Sequence, residues 1–288
     1  MNIEHIRSLF PVTKEAVYLN SASQSPLNTL VNDRLQAHLK TEFNPLGKKA
    51  FNRDYTRVLL SRLLGGLPEE YALVISTGIG ISIVAQGLEL KKGDNVVVPE
   101  REHWNNSFPW LQLENRGVEI RFARLNEDNS INPETIEELV DHKTRVVAIA
   151  AVRFNSGFRP NLAAIGKIAH AKGALFLVDA AQAAGMIPIN VEQNQIDIMA
   201  GCGFKWLLGM YGTGYLYVSK RVVKTINPVL PGMFAADNQF DKLSYYDDSR
   251  KFETGTIAYS LFDAWSAGLE LLLDVGIKNV YEKNLKTT

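Results

Sequence analysis

Short apolar runs alternate with helical patterns along the middle of the chain. The runs are rich in valine and isoleucine and apolar on both faces, and most are followed by a stretch with helical spacing. The runs that predict strands are YALVIS, NVVVP, VEIRFA, RVVAIAAV, ALFLVDA, IDIMAG and GYLYVS. Strands with two apolar faces, separated by helices, are typical of a parallel sheet covered on both sides.

The last two runs, IDIMAG and GYLYVS, are separated by a glycine-rich loop that contains one lysine. This loop is too short for a helical crossover, so GYLYVS is predicted to pair antiparallel with IDIMAG. The predicted fold class is therefore α/β, a three-layer αβα arrangement around a mixed, mostly parallel sheet of about seven strands.

Helical spacing also flanks the strands. TLVNDRLQAHLKTEF and KKAFNRDYTRVLLSRLLGG predict two helices before the first strand, the second closing on Gly65 and Gly66, and LFDAWSAGLELLLDVG predicts a long final helix. The segment 231–256 is polar, aromatic and irregular, and it predicts a functional or interface loop.

Composition narrows the function classes. The 31 basic and 31 acidic residues cancel, so no global field draws the chain to nucleic acid or to an anionic membrane, and small molecules or other proteins are the expected partners. The charged N-terminus and the short apolar runs predict a cytoplasmic protein without a membrane span. Cys202 is the one cysteine, and the five histidines are scattered without ligand spacing, so no metal site is expected.

Two charged residues follow strands at the edge where open α/β sheets bind ligands. Asp179 ends ALFLVD, where it either caps a following helix or meets a cation, because a buried carboxylate needs partners. Lys205 follows IDIMAG in apolar surroundings, where its amine either extends to water or serves as a nucleophile for a carbonyl. Together they suggest pyridoxal phosphate (PLP), with the aspartate at the pyridine nitrogen and the lysine at the aldehyde.

A phosphate needs its own donors. VISTGIGIS runs from a strand through Ser76, Thr77 and Gly78 into a helix, which supplies a hydroxyl, backbone amides and a helix dipole at one point. The glycines after Lys205 (Gly209, Gly212 and Gly214) are a weaker signal, because glycines in tight turns are common for steric reasons.

The motifs in their order resemble the class V aminotransferase family of fold-type I PLP enzymes. The resemblance covers nearly the whole chain and is carried by YLNSAS, STGIGIS, EHWNNSFPW, VRFNSGFRPNL, LVDAAQAAG, GFKWLLGMYGTGYLYV and RKFETGT. It implies PLP as cofactor, an amino acid as substrate and a homodimer whose sites are shared between subunits.

The resemblance also implies roles for individual residues. Lys205 matches the Schiff-base lysine and Asp179 the partner of the pyridine nitrogen, while Gln182 matches a hydrogen-bond donor to the phenolic oxygen of the ring. His103 matches a residue that stacks on the cofactor and in some members moves protons. Three further positions match the phosphate site: Thr77 and Gly78 in the binding turn, and Thr256, which reaches the phosphate of the neighbouring subunit.

Some positions depart from the pattern of the family. Cys202, Gly203 and Phe204 stand where many cysteine desulfurases have Ser-Gly-His, so phosphate binding is expected to depend more on Thr77, Thr256 and backbone amides. Phe154 stands where those enzymes carry an asparagine that contacts the ring oxygen, with Asn155 beside it.

Family members usually continue into a small C-terminal domain with the substrate-carboxylate arginine and, in desulfurases, a persulfide cysteine. The domain prediction is an N-terminal segment 1–20, a PLP-binding large domain 21–275, and residues 276–288 as the start of a small domain that is missing. The expected function is PLP-dependent chemistry on an amino acid, as an aminotransferase, an epimerase or a β-lyase, and a desulfurase is disfavoured. Alternatives are a non-catalytic PLP-binding protein and a nucleotide-binding α/β enzyme.

Overall fold

The computed structural model describes residues 2–44, 46, 52–238 and 243–287. Its helices are α1 (Ile3–Ser8), α2 (Thr29–Phe43), α3 (Arg53–Leu64), α4 (Thr77–Gly87), α5 (Trp104–Leu111), α6 (Pro133–Glu137), α7 (Leu162–Ala171), α8 (Tyr259–Val275) and α9 (Ile277–Leu285). Its strands are β1 (Tyr71–Val74), β2 (Asn95–Pro99), β3 (Glu119–Ala123), β4 (Thr144–Ala150), β5 (Leu175–Asp179), β6 (Ile198–Cys202), β7 (Gly214–Val218), β8 (Ala236–Asn238) and β9 (Ser244–Tyr245).

Seven strands form one sheet in the order β1-β7-β6-β5-β4-β2-β3. The neighbours from β6 to β3 are parallel, whereas β7 pairs antiparallel with both β6 and β1. This confirms the predicted mixed sheet and the antiparallel pairing of GYLYVS with IDIMAG.

The two faces of the sheet bury separate apolar cores, which confirms the three-layer arrangement. Successive side chains of a strand point to opposite faces. Phe176 and Val178 accordingly pack with α3, α7 and α8 on one face, and Leu177 packs with α4 and α5 on the other.

Helix α3 has a side-chain cap at its start and a glycine at its end. The side chain of Asn52 accepts a hydrogen bond from the amide of Asp54 and so caps α3, which ends at Gly65 with φ +89° as its glycines predict. The beginning of the predicted pattern, at residues 48–51, lies outside the described residues. The helix α6 is shorter than the pattern PETIEELVDH indicates, since it ends at Glu137.

The segment 231–256 contains the small β8–β9 pair and a 3-10 turn at Ser249–Phe252, while residues 239–242 lie outside the described residues. Its role as a functional or interface loop stays a prediction, as do the domain boundaries at residues 20 and 275. In the part of the chain that the structure describes, no helix is long and apolar enough to cross a membrane.

Candidate active site

A cavity that is partly open to solvent lies where the segments after β1, β2, β4, β5 and β6 meet. It is lined by Ser76, Thr77, His103, Asn105, Ala150, Val152, Phe154, Asp179, Ala181, Gln182, Cys202, Phe204 and Lys205. Five of the seven predicted site residues are thus brought together from the ends of four strands: Thr77, His103, Asp179, Gln182 and Lys205. Ligand sites at this edge are the rule in open α/β sheets.

The loop that carries Lys205 is a tight turn stabilised by backbone hydrogen bonds. The amide of Gly203 donates to Thr213 O at 2.8 Å, and the amide of Gly209 donates to Gly203 O at 2.8 Å. A side-chain carbon at Gly203 would collide with the Thr213 hydroxyl, and one at Gly209 would collide with the indole of Trp265. The glycines around the lysine are therefore explained by close packing, and they leave Lys205 half-buried at the cavity.

Asp179 ends β5 with 4% of its surface exposed. Its Oδ1 accepts a hydrogen bond from the amide of Ala181 at 2.9 Å. Residues 181–183 form a turn, so the alternative that Asp179 caps a helix is wrong, and the carboxylate caps a turn. Burial raises its pKa to about 6, although the Ala181 amide and the charge of Lys205 both act to lower it. Such a carboxylate gains from a cationic ligand beside it.

Thr77 supplies a buried polar atom without a satisfied hydrogen bond. It is the first residue of α4, and the hydroxyl of Ser76 caps this helix by accepting from the amide of Ile79 at 3.3 Å. Thr77 Oγ1 neighbours the weakly polar thiol of Cys202 but makes no hydrogen bond of good geometry among the described residues. A buried hydroxyl that faces a cavity at the positive end of a helix is suited to an anion.

Gly78 lies beside the cavity and lines a neighbouring surface groove. A Cβ on Gly78 would come within 3.1 Å of the side chain of Asn105, which itself lines the cavity. Glycine at this position therefore permits the close approach of α4 and α5.

His103 caps α5, and its Nδ1 accepts a hydrogen bond from the amide of Asn105 at 3.1 Å. Burial and the nearby charge of Lys205 lower the pKa of His103, so the ring is neutral near pH 7 and carries its proton on Nε2. The ring of Phe154 meets it edge-on at 5.1 Å. The buried carboxylate of Glu102 accepts from the amide of His103 at 2.9 Å and so supports this backbone.

Cys202 lines the cavity with 4% of its surface exposed. Burial raises the pKa of this thiol to about 11. The interpretation of Cys202 as a small buried residue is therefore confirmed.

Gln182 is half-buried, and both ends of its amide make hydrogen bonds. Its Nε2 donates to Ala22 O at 2.9 Å, and its Oε1 accepts from the indole Nε1 of Trp206 at 2.8 Å. Neither Ala22 nor Trp206 was identified as a site residue from the sequence. The sequence offered one signal for Trp206, since a buried indole N–H usually needs a hydrogen-bond acceptor.

Thr256 is exposed and does not line the cavity. Its loop is held by Glu253, which is 2% exposed and accepts from Arg57 at 2.7 Å, from Arg53 at 3.1 Å and from the amide of Leu73 at 2.9 Å. The contact of Thr256 with a neighbouring subunit stays a prediction. Sequence reasoning identified the FETGT motif but missed the buried ion pairs that anchor it.

The fold and the cavity together are those of a PLP-dependent enzyme. The chain belongs to the aminotransferase class-V family, whose model matches residues 17–288. The residues present fit this cofactor, because a lysine amine, a buried carboxylate and a buried hydroxyl at a helix N-terminus face one cavity. Lys205, Asp179 and Thr77 are the residues that would hold the aldehyde, the pyridine nitrogen and the phosphate.

Several curated relatives are named as cysteine desulfurases. The chain is 33% identical to a probable cysteine desulfurase of Methanothermobacter thermautotrophicus, in an alignment that covers 100% of this chain and 74% of the relative. It is 34% identical to a cysteine desulfurase of Shigella sonnei over 75% of this chain and 55% of that protein.

Solved structures share the fold. The apo cysteine desulfurase of Thermococcus onnurineus has a TM-score of 0.89 at 24% identity, covering 98% of this chain and 74% of that one. The cysteine desulfurase CsdA of Escherichia coli has a TM-score of 0.86 at 26% identity, covering 97% of this chain and 73% of that one. A C-DES variant with glycine covalently linked to PLP has a TM-score of 0.88 at 23% identity, covering 96% of this chain and 76% of that one.

Proposed function

We propose that this chain uses PLP to remove the proton from the amino-bearing carbon of an amino-acid substrate. The observation that carries the proposal is the presence of Lys205, Asp179, Thr77 and His103 in one cavity. When bound, PLP withdraws electrons from the substrate carbon and so makes its proton acidic. Each of these four side chains then has a separate task.

In this proposal Lys205 Nζ takes the proton from the substrate carbon and returns it. Asp179, buried and with a raised pKa, gains by pairing with a protonated pyridine nitrogen, because the pair relieves the cost of its burial. The neutral ring of His103 stacks on the cofactor and adds no positive charge beside Lys205, so it does not oppose protonation of that amine. Thr77 and the N-terminus of α4 bind the phosphate.

Proton exchange at the substrate carbon is common to transamination, racemisation and β-elimination, so it tests the proposal without knowledge of the products. Amino acids are incubated with the PLP-loaded protein in deuterated water, and loss of the α-proton signal is followed by proton NMR. We expect exchange with at least one amino acid, and a loss of at least roughly 100-fold in Lys205→Ala. The matched control is Lys172→Ala, at an exposed lysine outside the cavity. Absence of exchange with every amino acid offered would contradict the proposal.

Desulfuration of cysteine is a second candidate because relatives carry that name. A persulfide route needs a reactive thiolate that faces the substrate. Cys202, the one cysteine of these 288 residues, is buried with a raised pKa and does not meet that need. Release of sulfide from cysteine by β-elimination is consistent with this site, and it requires no protein thiol. Sulfide release that survives Cys202→Ala would support this route, whereas its loss with PLP still bound would favour the persulfide route.

We further propose that the chain forms a homodimer with shared sites. Trp104 is 63% exposed and Phe108 60% exposed, and both line the groove beside Gly78 at the predicted phosphate turn. Thr256 is also exposed and lies outside its own cavity. Analytical ultracentrifugation is expected to show a dimer that Trp104→Glu weakens, and a monomer at all concentrations would contradict the proposal.

A further inference from the structure

The amide of Gln182 is held in one orientation by two neighbours of opposite chemistry. An indole N–H only donates and a backbone carbonyl only accepts. Trp206 Nε1 therefore requires the oxygen of the amide at its 2.8 Å contact, and Ala22 O requires the nitrogen at its 2.9 Å contact. A rotation of the amide by 180° would break both hydrogen bonds at once.

This orientation leaves one N–H of Gln182 unused. An amide nitrogen carries two hydrogens, and the bond to Ala22 O is the one that Nε2 makes among the described residues. Gln182 lines the cavity together with Asp179 and Lys205. A donor is thereby available at the cavity on a side chain whose rotation is restricted.

The two hydrogen-bond partners of Gln182, Trp206 and Ala22, belong to different parts of the fold. Trp206 follows Lys205 directly and is part of the same tight turn, which Trp265 also stabilises by donating from its indole to Leu207 O at 3.0 Å. Ala22 lies in the N-terminal segment, which reaches the turn through the hydrogen bond from the amide of Ser25 to Phe204 O at 2.9 Å. The indole of Trp206 is therefore the anchor that shares a rigid element with the lysine.

We propose that Trp206 is a positioning residue, whose indole N–H holds the Gln182 amide with an N–H donor directed to the phenolic oxygen of PLP. The inference rests on the proposed function and assigns to Trp206 a role that acts through Gln182. A donor at that oxygen stabilises its anionic form, so the bound chromophore loses its proton at a lower pH.

The first test uses the PLP-loaded protein and the pH midpoint of its visible absorption. Loss of a hydrogen bond to a charged group in Gln182→Leu should raise the midpoint by about 1 pH unit, and Trp206→Phe should raise it by about half a unit. In the double variant the effect of Trp206→Phe should vanish, because Trp206 acts only through Gln182. The matched control is Trp110→Phe, which removes a buried indole whose N–H has no partner among the described residues and should not move the midpoint.

A second test needs neither PLP nor a stable Trp206 variant. In the apo protein, the indole N–H resonance of Trp206 should shift upfield in Gln182→Leu, while the resonance of Trp110 stays in place. A midpoint unchanged in Trp206→Phe, a shift that persists in the Gln182→Leu background, or an indole resonance that does not move would each overturn the inference. If the wild type binds no PLP at all, the proposed function fails, and the NMR measurement alone then decides whether Trp206 positions Gln182.

Discussion

Replacing Asp179 by asparagine should stabilise the apo protein while it weakens cofactor binding. The folded carboxylate has a pKa of about 6 against an ordinary value of 3.8, mainly because of burial. The unfolded chain therefore releases this proton at a lower pH than the folded chain, and stability falls as the pH rises from about 4 to 6. A difference of about 2 pKa units corresponds to about 3 kcal/mol above pH 7. Asparagine removes this cost and keeps an oxygen for the hydrogen bond from Ala181.

The assay is urea unfolding of the apo protein at several pH values. We expect Asp179→Asn to be more stable than the wild type by about 3 kcal/mol at pH 7.5 and by about half of that at pH 5. Saturating PLP should stabilise the wild type far more than the variant, because the variant cannot pair with a protonated pyridine nitrogen. Asp128→Asn is the control. Its effect on stability should have the opposite sign, because hydrogen bonding to Ser130 lowers the pKa of that exposed carboxylate. An apo variant that is less stable than the wild type at pH 7.5, or a difference that does not change with pH, would refute the reasoning.

Three further predictions concern buried charges and the state of the site. Glu253→Gln should lower the free energy of unfolding in urea by about 3 kcal/mol, because the buried Arg57 then keeps only the exposed carboxylate of Asp54 as a charged partner. Glu282→Gln, on a surface pair, should change it by less than about 1 kcal/mol. Cys202 should resist alkylation by iodoacetamide in the native protein at pH 8 and react after unfolding, because burial raises its pKa to about 11; rapid native labelling would contradict its burial. His103 should titrate below pH 6.5 in NMR of the apo protein, and a midpoint above that value would show that burial and Lys205 do not govern it.

The sheet could be predicted from the sequence because each strand is a local apolar run and parallel strands must be covered on both faces. The short loop between Cys202 and Gly214 was enough to predict an antiparallel β7. The pairing of β7 with β1 was not predicted, since nothing local to Tyr71 specifies which distant strand lies beside it. The helix α6 was predicted too long because apolar spacing alone does not determine where a helix ends.

Part of the site could also be predicted, because local patterns in the sequence locate the ends of the strands. Asp179 and Lys205 each follow a strand, so the topology brings them to one edge of the sheet. The hydrogen bond of Gln182 to Ala22 spans 160 residues, and that of Glu253 to Arg57 spans 196. Contacts of this kind depend on the packing of the folded chain, and no local pattern encodes them.

The most direct test of the account is the visible absorption spectrum of the protein with added PLP, before and after borohydride, followed by peptide mapping. The account predicts a visible band that borohydride bleaches, with the pyridoxyl group mapped to Lys205 and absent from Lys205→Ala. A protein that stays colourless with added PLP, or an adduct on another lysine, would contradict the central claim that Lys205 is the cofactor-binding lysine of this site.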